Sequence, residues 1–584
     1  MAEQAVSITD EDAMTEFLDG LSDWQAEALL ALSTGSRISE VADELGLRVR
    51  EHTVAAATEA FNAPAEPSDE EILDSITQPA ARMTFYPIGG TEELRRIIAG
   101  GDFEAWRVFL HPMQERWVNR DYNGAFRLRG GAGTGKTVVV LHRTRRLALT
   151  DPDAPILLTT FTKNLAHDLD RDLHRLDPDL GRSHRLGEPG VMVRGLDALI
   201  SQVLRDAGED VAKATQVVLG SGRVDVHERT SSKVWDEVLL TAGEGLPESL
   251  RNRRFLEAEY TLVVLPARIT TEEQYLRIPR PGRGVRLSRR ERKAVWAVIA
   301  AYRQAARMKG TVDFTEAAAI AAVHLEAGAP PVRHVLVDEG QDFSPCQWQF
   351  VRALVPAGAD DVFIAEDGHQ RIYGQRLVLS RYGIATTGRS QRLTLNYRTT
   401  KQNLGWAVSV LGGHEFVDSE GEIDTTDGYR SARGGPAPKV LHVASAAEEL
   451  GTTEAQLREW MAQRRPPETL AVLVRDRAMR QRIVEGLTSR GVEAQAIESH
   501  GVLPGKVAVL TMHRAKGTEF ACVLLFGISD RSIPMGLEEY HYDEEEHEAA
   551  LQRERSLIYV AASRARDELV ITYHGSPSPL LPAP

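Results

Sequence analysis

Short apolar runs, each ending in a polar or glycine-rich cluster, punctuate the chain from residue 125 to about residue 575. Ala125-Phe126-Arg127-Leu128-Arg129 runs into glycines. Pro155-Ile156-Leu157-Leu158 runs into Thr159-Thr160-Phe161-Thr162-Lys163-Asn164. His334-Val335-Leu336-Val337 runs into Asp338-Glu339-Gly340-Gln341-Asp342, and Val362-Phe363-Ile364-Ala365 into Glu366-Asp367-Gly368-His369-Gln370. Val191-Met192-Val193, Leu470–Val474 and Val507–Leu510 have the same character. Runs this short and this apolar predict strands buried on both faces, as in a parallel sheet. Helical patterns alternate with them, so the expected class is α/β, with a second parallel layer over 360–575. In such sheets ligands bind beyond the C-terminal strand ends, where these polar clusters fall.

Two stretches break the alternation. Residues 200–310 are mostly helical and polar. Residues 1–80 read as a small helical module, with Ser22 as an N-cap and a Pro-containing acidic linker over 62–70. Ile38–Leu47 fits the first helix and turn of a helix-turn-helix, but a DNA-facing module needs a basic face. Residues 1–80 hold 18 acidic and three basic residues, so an interaction or autoinhibitory module fits better. The whole chain of 584 residues carries −15, so the remainder is balanced. Within that balanced part, 277–309 holds eleven Lys and Arg against the single acid Glu291. Arg277, Arg280, Arg283, Arg286, Arg289 and Arg292 recur every third residue, which suits contact with a phosphate backbone. The run Glu538 to Glu548 reads as a solvated helix start. Two cysteines, Cys346 and Cys522, exclude a disulfide framework and a four-cysteine metal site. No apolar run spans a bilayer and no signal pattern opens the chain, so a cytoplasmic protein is expected.

The chemistry concentrates at Gly130-Gly131-Ala132-Gly133-Thr134-Gly135-Lys136-Thr137, which fits G-x-x-x-x-G-K-[ST] between a strand and a helix. Its backbone N–H groups and the helix N-terminus cradle phosphates. Lys136 reaches the β/γ-phosphates and Thr137 ligates Mg²⁺, so a nucleoside triphosphate and Mg²⁺ are expected. Asp338 and Glu339, at a strand end, suit a Mg²⁺-site acid and a base for the attacking water. Gln114 has the donor and acceptor needed to read adenine.

These blocks, in this order, resemble the UvrD/Rep-like DNA helicases of superfamily 1, in a compact bacterial branch. The resemblance covers about residues 105–575. It implies two RecA-like P-loop NTPase cores with ATP between them. Gln114 would read adenine, Tyr397 would stack on it and Glu519 would bind ribose. Gln370 would sense the γ-phosphate, and Arg398 and Arg564 would act as arginine fingers from the second core. Phe161, Tyr373 and His513 match positions on the DNA track. Travel 3′→5′ on single-stranded DNA is also implied. Glu366 stands where a glycine is usual, Thr518 where a leucine is usual, Val138 where many relatives have arginine, and Gln375 where a tryptophan is common. About 110 residues separate Arg398 from Thr511, too few for the large helical 2B insertion of bigger relatives.

The expected layout is an acidic module (1–80), a first core in two parts (81–195 and 311–385), a helical 1B-like insertion (196–310), a second core (386–576) and a disordered tail (577–584). The expected activity is an ATP-dependent helicase or translocase on single-stranded DNA. The alternative is a DNA-stimulated ATPase subunit, regulated through residues 1–80 and working beside a nuclease or toxin-like partner. A phosphate-loop ATPase acting on something other than nucleic acid would leave the basic cluster and the aromatic set without a purpose.

Overall fold

The computed structural model describes residue 110 and residues 112–582, apart from 374–376, 413–415, 419, 421–422, 427–428, 499–500 and 541–542. The acidic module 1–80, the strand-like run near Phe85 and the departure at Gln375 lie outside the described residues. The chain divides into two units after Val118. Helix Pro112–Asn119 ends the first and carries Gln114, which is buried. Asn119 onward forms the second unit.

Its twelve main strands form two six-stranded sheets. The first contains β1 (Phe126–Gly130), β2 (Pro155–Thr160), β3 (Gly190–Gly195), β4 (His334–Asp338), β5 (Val362–Glu366) and β6 (Ser390–Leu393), in the order β3-β2-β4-β5-β1-β6. The second contains β7 (Lys439–Val443), β8 (Leu470–Val474), β9 (Ala494–Ala496), β10 (Val507–Thr511), β11 (Phe520–Leu525) and β12 (Ala565–His574), in the order β7-β12-β11-β8-β10-β9. Every pairing within both sheets is parallel. The α/β reading from apolar runs therefore holds. All five residues of β4, β5 and β8 are buried, as strands covered by helices on both faces must be.

Two boundaries differ from expectation. Ser390–Leu393 lies inside the stretch assigned to the second core, yet it pairs with β1 and completes the first sheet. Its mixed sequence, Ser-Gln-Arg-Leu, lacks the apolar signature because it is an edge strand. Residues 577–582 are packed, contrary to the disorder expected there. Pro577 bridges Ser529, Ser578 N donates to Ile528 O at 3.1 Å, and Leu580 is buried in the second core. The leucine among the prolines supplies burial that composition concealed.

Between β3 and β4 the chain forms helices Leu196–Ala207, Val211–Leu219, Lys233–Ala242, Arg253–Glu259, Glu272–Arg277 and Arg289–Met308. They pack on Trp235, Tyr260, Tyr275, Trp296 and Tyr302, with the Trp235 and Tyr302 rings stacked 3.8 Å apart. The basic run 277–309 divides in two. Arg277, Arg286, Arg289 and Arg290 are exposed. Arg280 and Arg283 point inward to the buried Glu259, and Arg292 donates to the carbonyls of Tyr275, Leu276 and Ile278. A regular spacing of arginines therefore does not make a uniform basic face.

Candidate active site

The phosphate loop follows β1 directly. Gly133 and Gly135 take φ of 73° and 82°, which glycine reaches without steric cost, and Gly135 opens helix Lys136–Thr150. Lys136 lies under the loop, its Nζ donating to Gly130 O (2.8 Å) and Gly131 O (2.9 Å). Thr137 Oγ1 donates to Asp338 Oδ2 at 3.0 Å. That contact joins the loop to the end of β4, 201 residues away in sequence.

Beside Asp338, Glu339 adopts φ 58° and ψ 39°, a left-handed conformation uncommon for a residue with a side chain. Such strain concentrates at functional sites. Burial, then the neighbouring Glu339 charge, push the Asp338 carboxyl up to about 7. Burial would raise Glu339 as well, but Lys516, Lys136 and Arg564 outweigh it and hold its carboxyl below the ordinary range.

Two of those cations, Lys516 and Arg564, show how the second core enters the site. Lys516, just after β10, is buried, with Nζ 3.2 Å from Glu339 Oε2 and donating to Asp342 and to Gln370 O (2.8 Å). Arg564, just before β12, donates through Nη2 to Gln370 Oε1 at 3.3 Å. Gln370 Nε2 in turn donates to Asp367 Oδ2 at 2.8 Å. Burial works against the Asp367 charge, but Lys136, 3.9 Å away, and His369 bring its carboxyl down to about 2. Arg398 pairs with Glu519 at 2.6 Å.

Two further residues clamp the phosphate loop. Tyr559 OH accepts from Ala132 N (3.0 Å), and Asn396 Nδ2 donates to Ala132 O (2.8 Å). A Cβ at Gly133 would stand 2.7 Å from the Asn396 amide, so this approach needs glycine.

The aromatic set forms a contiguous row. The Phe161 and Tyr373 rings stack at 5.3 Å, and Tyr373 lies 5.8 Å from the His513 ring. Tyr373 is 45% exposed, so one face of the row is open. The row crosses from the end of β2 to the end of β10. Phe314, 57% exposed, lines the same cleft as Tyr373.

The structure thus gathers Lys136, Thr137, Asp338, Glu339, Gln370 and Arg564 into one cleft, with Arg398 and Glu519 paired on the second-core side. Tyr397 lies on strand Leu395–Thr400, but its side chain is outside the described residues. Gln114 belongs to the preceding unit. Sequence reasoning passed over Lys516, Asp342, Asp367, Asn396 and Tyr559. The signal for Lys516 was its place five residues after Thr511, at a strand end. Glu366, unusual for the resemblance, is explained by Arg127 of β1, whose buried guanidinium it meets at 3.1 Å.

Residues 110–378 match the UvrD/REP helicase N-terminal domain, and residues 495–576 match the UvrD-like helicase C-terminal domain. The chain belongs to the UvrD/REP helicase family. Similar relatives include ATP-dependent DNA helicase UvrD2 of Mycobacterium tuberculosis, 24% identical over 466 residues, which covers 76% of this chain and 62% of the relative. DNA helicase IV of Escherichia coli is 23% identical over 520 residues, covering 81% and 69%. A probable DNA helicase of Mycoplasma pneumoniae is 26% identical over 258 residues, covering 42% and 44%. This member of the family spans less than two thirds of the UvrD2 length.

Among the described residues, no three His, Cys, Asp or Glu side chains stand together to hold a metal unaided. Thr137 Oγ1 and Asp338 Oδ2 are instead a pair of hard oxygen donors at a phosphate loop. That fits Mg²⁺, which takes one or two protein oxygens and completes its shell with water and phosphate. No helix among the described residues is long and apolar enough to cross a membrane.

Proposed function

We propose that this chain is an ATP-dependent DNA helicase or translocase that moves 3′→5′ on single-stranded DNA. The observation that carries the reading is the shared cleft. Glu339 of the first core is faced by Lys516 and Arg564 of the second, and the strand-ready row Phe161–Tyr373–His513 spans the same two cores. The names of the relatives UvrD2 and DNA helicase IV support the same reading.

In this reading Glu519 holds the ribose and Gly130–Thr137 the phosphates. Thr137 and Asp338 hold Mg²⁺, which when bound offsets phosphate charge. Glu339 orients a water and takes its proton, at an oxygen kept ionised by the surrounding cations. Arg564 and Arg398 stabilise the charge developing on the transferring phosphoryl group. Both come from beyond the first core, so hydrolysis depends on how the cores close, and closure moves the aromatic row. Gln370 links the two events, since it holds Asp367 at the loop and accepts from Arg564. Aromatic stacking tolerates any base, as a translocating strand requires.

A regulated ATPase subunit is the second reading. Between Arg398 and Thr511 the described residues form helices Lys401–Val410, Ala446–Ala462 and Arg477–Ser489, short strands and part of the second sheet, so most of the interval belongs to the second core itself. ATP hydrolysis should be measured with and without single-stranded DNA, alongside strand release from a 3′-tailed duplex. Stimulation with release supports the helicase. Stimulation without release supports the subunit, and absence of stimulation rejects both.

A further inference from the structure

A second cluster of charge lies outside the ATP cleft, where the helical insertion meets the second core. Glu259 is fully buried and accepts from Tyr275 OH (2.6 Å), from Arg280 Nε (2.5 Å) and Nη2 (2.7 Å), and from Arg283 Nε (3.0 Å). The Arg280 and Arg283 side chains are 5% and 2% exposed. Arg280 Nη1 is used by Val285 O and Arg283 Nη2 by Phe255 O. One buried carboxylate cannot neutralise two buried guanidinium groups, so one positive charge remains. Arg283 Nη1 carries it outward, and Glu546, from helix Glu544–Ala562 of the second core, meets it. The fit is close: a Cβ at Gly284 would stand 2.7 Å from Asp543 Oδ2 and 2.9 Å from Glu545 Oε2. The acidic run that the sequence presented as a solvated helix start is therefore docked on the basic run.

Glu546 itself also faces a cavity of about 380 Å³ on the side of the aromatic row, which it lines together with Arg254, Phe314, Tyr373 and Arg553. The exposed Arg277, Arg286, Arg289 and Arg290 belong to the same segment as Arg283.

We infer that Arg283, braced by Glu259 and Arg280, is an anion seat with two alternative occupants: Glu546, which latches the insertion to the second core, and a backbone phosphate of the bound single strand. The inference rests on the strand-binding reading above. A phosphate offers the same oxygen geometry to a guanidinium as a carboxylate does, with at least equal charge. Rearrangement of the cores that withdraws Glu546 would leave a buried, uncompensated cation, and that cost is avoided only if another anion enters. The strand would thus compete with an internal acid. Docking the insertion on the second core would be coupled to whether DNA is held.

The test is a fluorescence-anisotropy titration of the full chain with a labelled oligothymidylate, across a salt series. The variants are Glu546→Gln, Arg283→Gln, and the exchange Arg283→Glu with Glu546→Arg. Glu546→Gln keeps the side-chain shape and removes the competing charge. It is expected to tighten binding roughly 3–10-fold at low salt, with the gain fading as salt rises. Arg283→Gln is expected to weaken binding and to lower the salt slope by about 0.7, one phosphate contact on a single strand. The exchange keeps the pair between positions 283 and 546 but sets a second carboxylate against the buried Glu259, so it should melt below the wild type and bind the strand more weakly, because the seat is now acidic. Wild-type binding with both single variants within twofold of it overturns the seat and leaves the helicase reading intact. Weaker binding by Glu546→Gln also overturns it. A wild type that binds no oligothymidylate at low salt rejects the strand-binding reading itself.

Discussion

Lys516 Nζ lies 3.2 Å from Glu339 Oε2, a contact that crosses from the end of β10 in the second sheet to the end of β4 in the first. Lys516 also donates to Asp342 and to Gln370 O, so a single buried ammonium gathers three acceptors of the first core. Burial opposes its charge, but Asp342 and Glu339 hold its pKa above the ordinary lysine value. Glu339 is therefore aimed by the second core as much as by its own strand.

Removing that ammonium should damage turnover more than nucleotide binding. Lys516→Met is expected to lower the strand-stimulated kcat for ATP at least about tenfold, with KM changed less than about threefold, the pattern for an interaction made in the transition state. Lys516→Arg, which keeps the charge, should recover part of the rate. Steady-state ATPase measurements on the three proteins decide it. An unchanged kcat in Lys516→Met would remove Lys516 from the positioning of Glu339.

Glu339→Gln tests the base itself. The amide keeps the shape but cannot take the proton, so hydrolysis should fall by roughly 10²–10⁴. Nucleotide affinity, read with a fluorescent ATP analogue, should persist. Loss of both would mean that Glu339 acts mainly in holding the nucleotide.

The aromatic row predicts a loss of strand affinity without loss of sequence tolerance. Tyr373→Ala or Phe161→Ala removes one stacking platform, worth about 1–3 kcal/mol per base. The dissociation constant for an oligothymidylate should rise by about 5–150-fold. Similar losses on mixed-sequence strands would support base-independent stacking, and a loss confined to one base would argue for specific readout.

His513 makes a pH prediction. Burial, then Arg475, lower its pKa from 6.5 to about 4. Between those values the unfolded chain binds more protons than the folded one, so stability rises with pH across about 4 to 6.5 and is level above. The contribution is at most about 3 kcal/mol. His513→Gln should flatten the rise in melting temperature across that window. At pH 7 His513 is neutral, so raising the pH from 7 to 8 should not alter strand binding through this ring.

Much of this site was legible because its residues are adjacent in sequence. Gly130–Thr137 fold as one loop, and Asp338–Glu339 follow an apolar run that can only be a buried strand, so composition and spacing located both. Glu366 could be seen only as a departure, because its partner Arg127 lies 239 positions away. Lys516, Asn396 and Tyr559 were passed over for the same reason. Each is an ordinary residue type, and what singles it out is an acceptor or donor on the other core.

The charge runs show the limit from the other side. Arg277, Arg280, Arg283, Arg286, Arg289 and Arg292 look alike along the chain. Folding sends Arg280, Arg283 and Arg292 inward to Glu259, Glu546 and backbone carbonyls, and leaves Arg277, Arg286 and Arg289 outside. The sequence alone determined the α/β class, the phosphate loop and the paired carboxylates, because those follow from local periodicity and contiguous motifs. Only the tertiary structure decided which charges are paired, which cation faces Glu339, and where the acidic and basic runs meet. Those outcomes depend on a few ångströms between residues hundreds of positions apart, and burial makes each such contact count far more than it would in water.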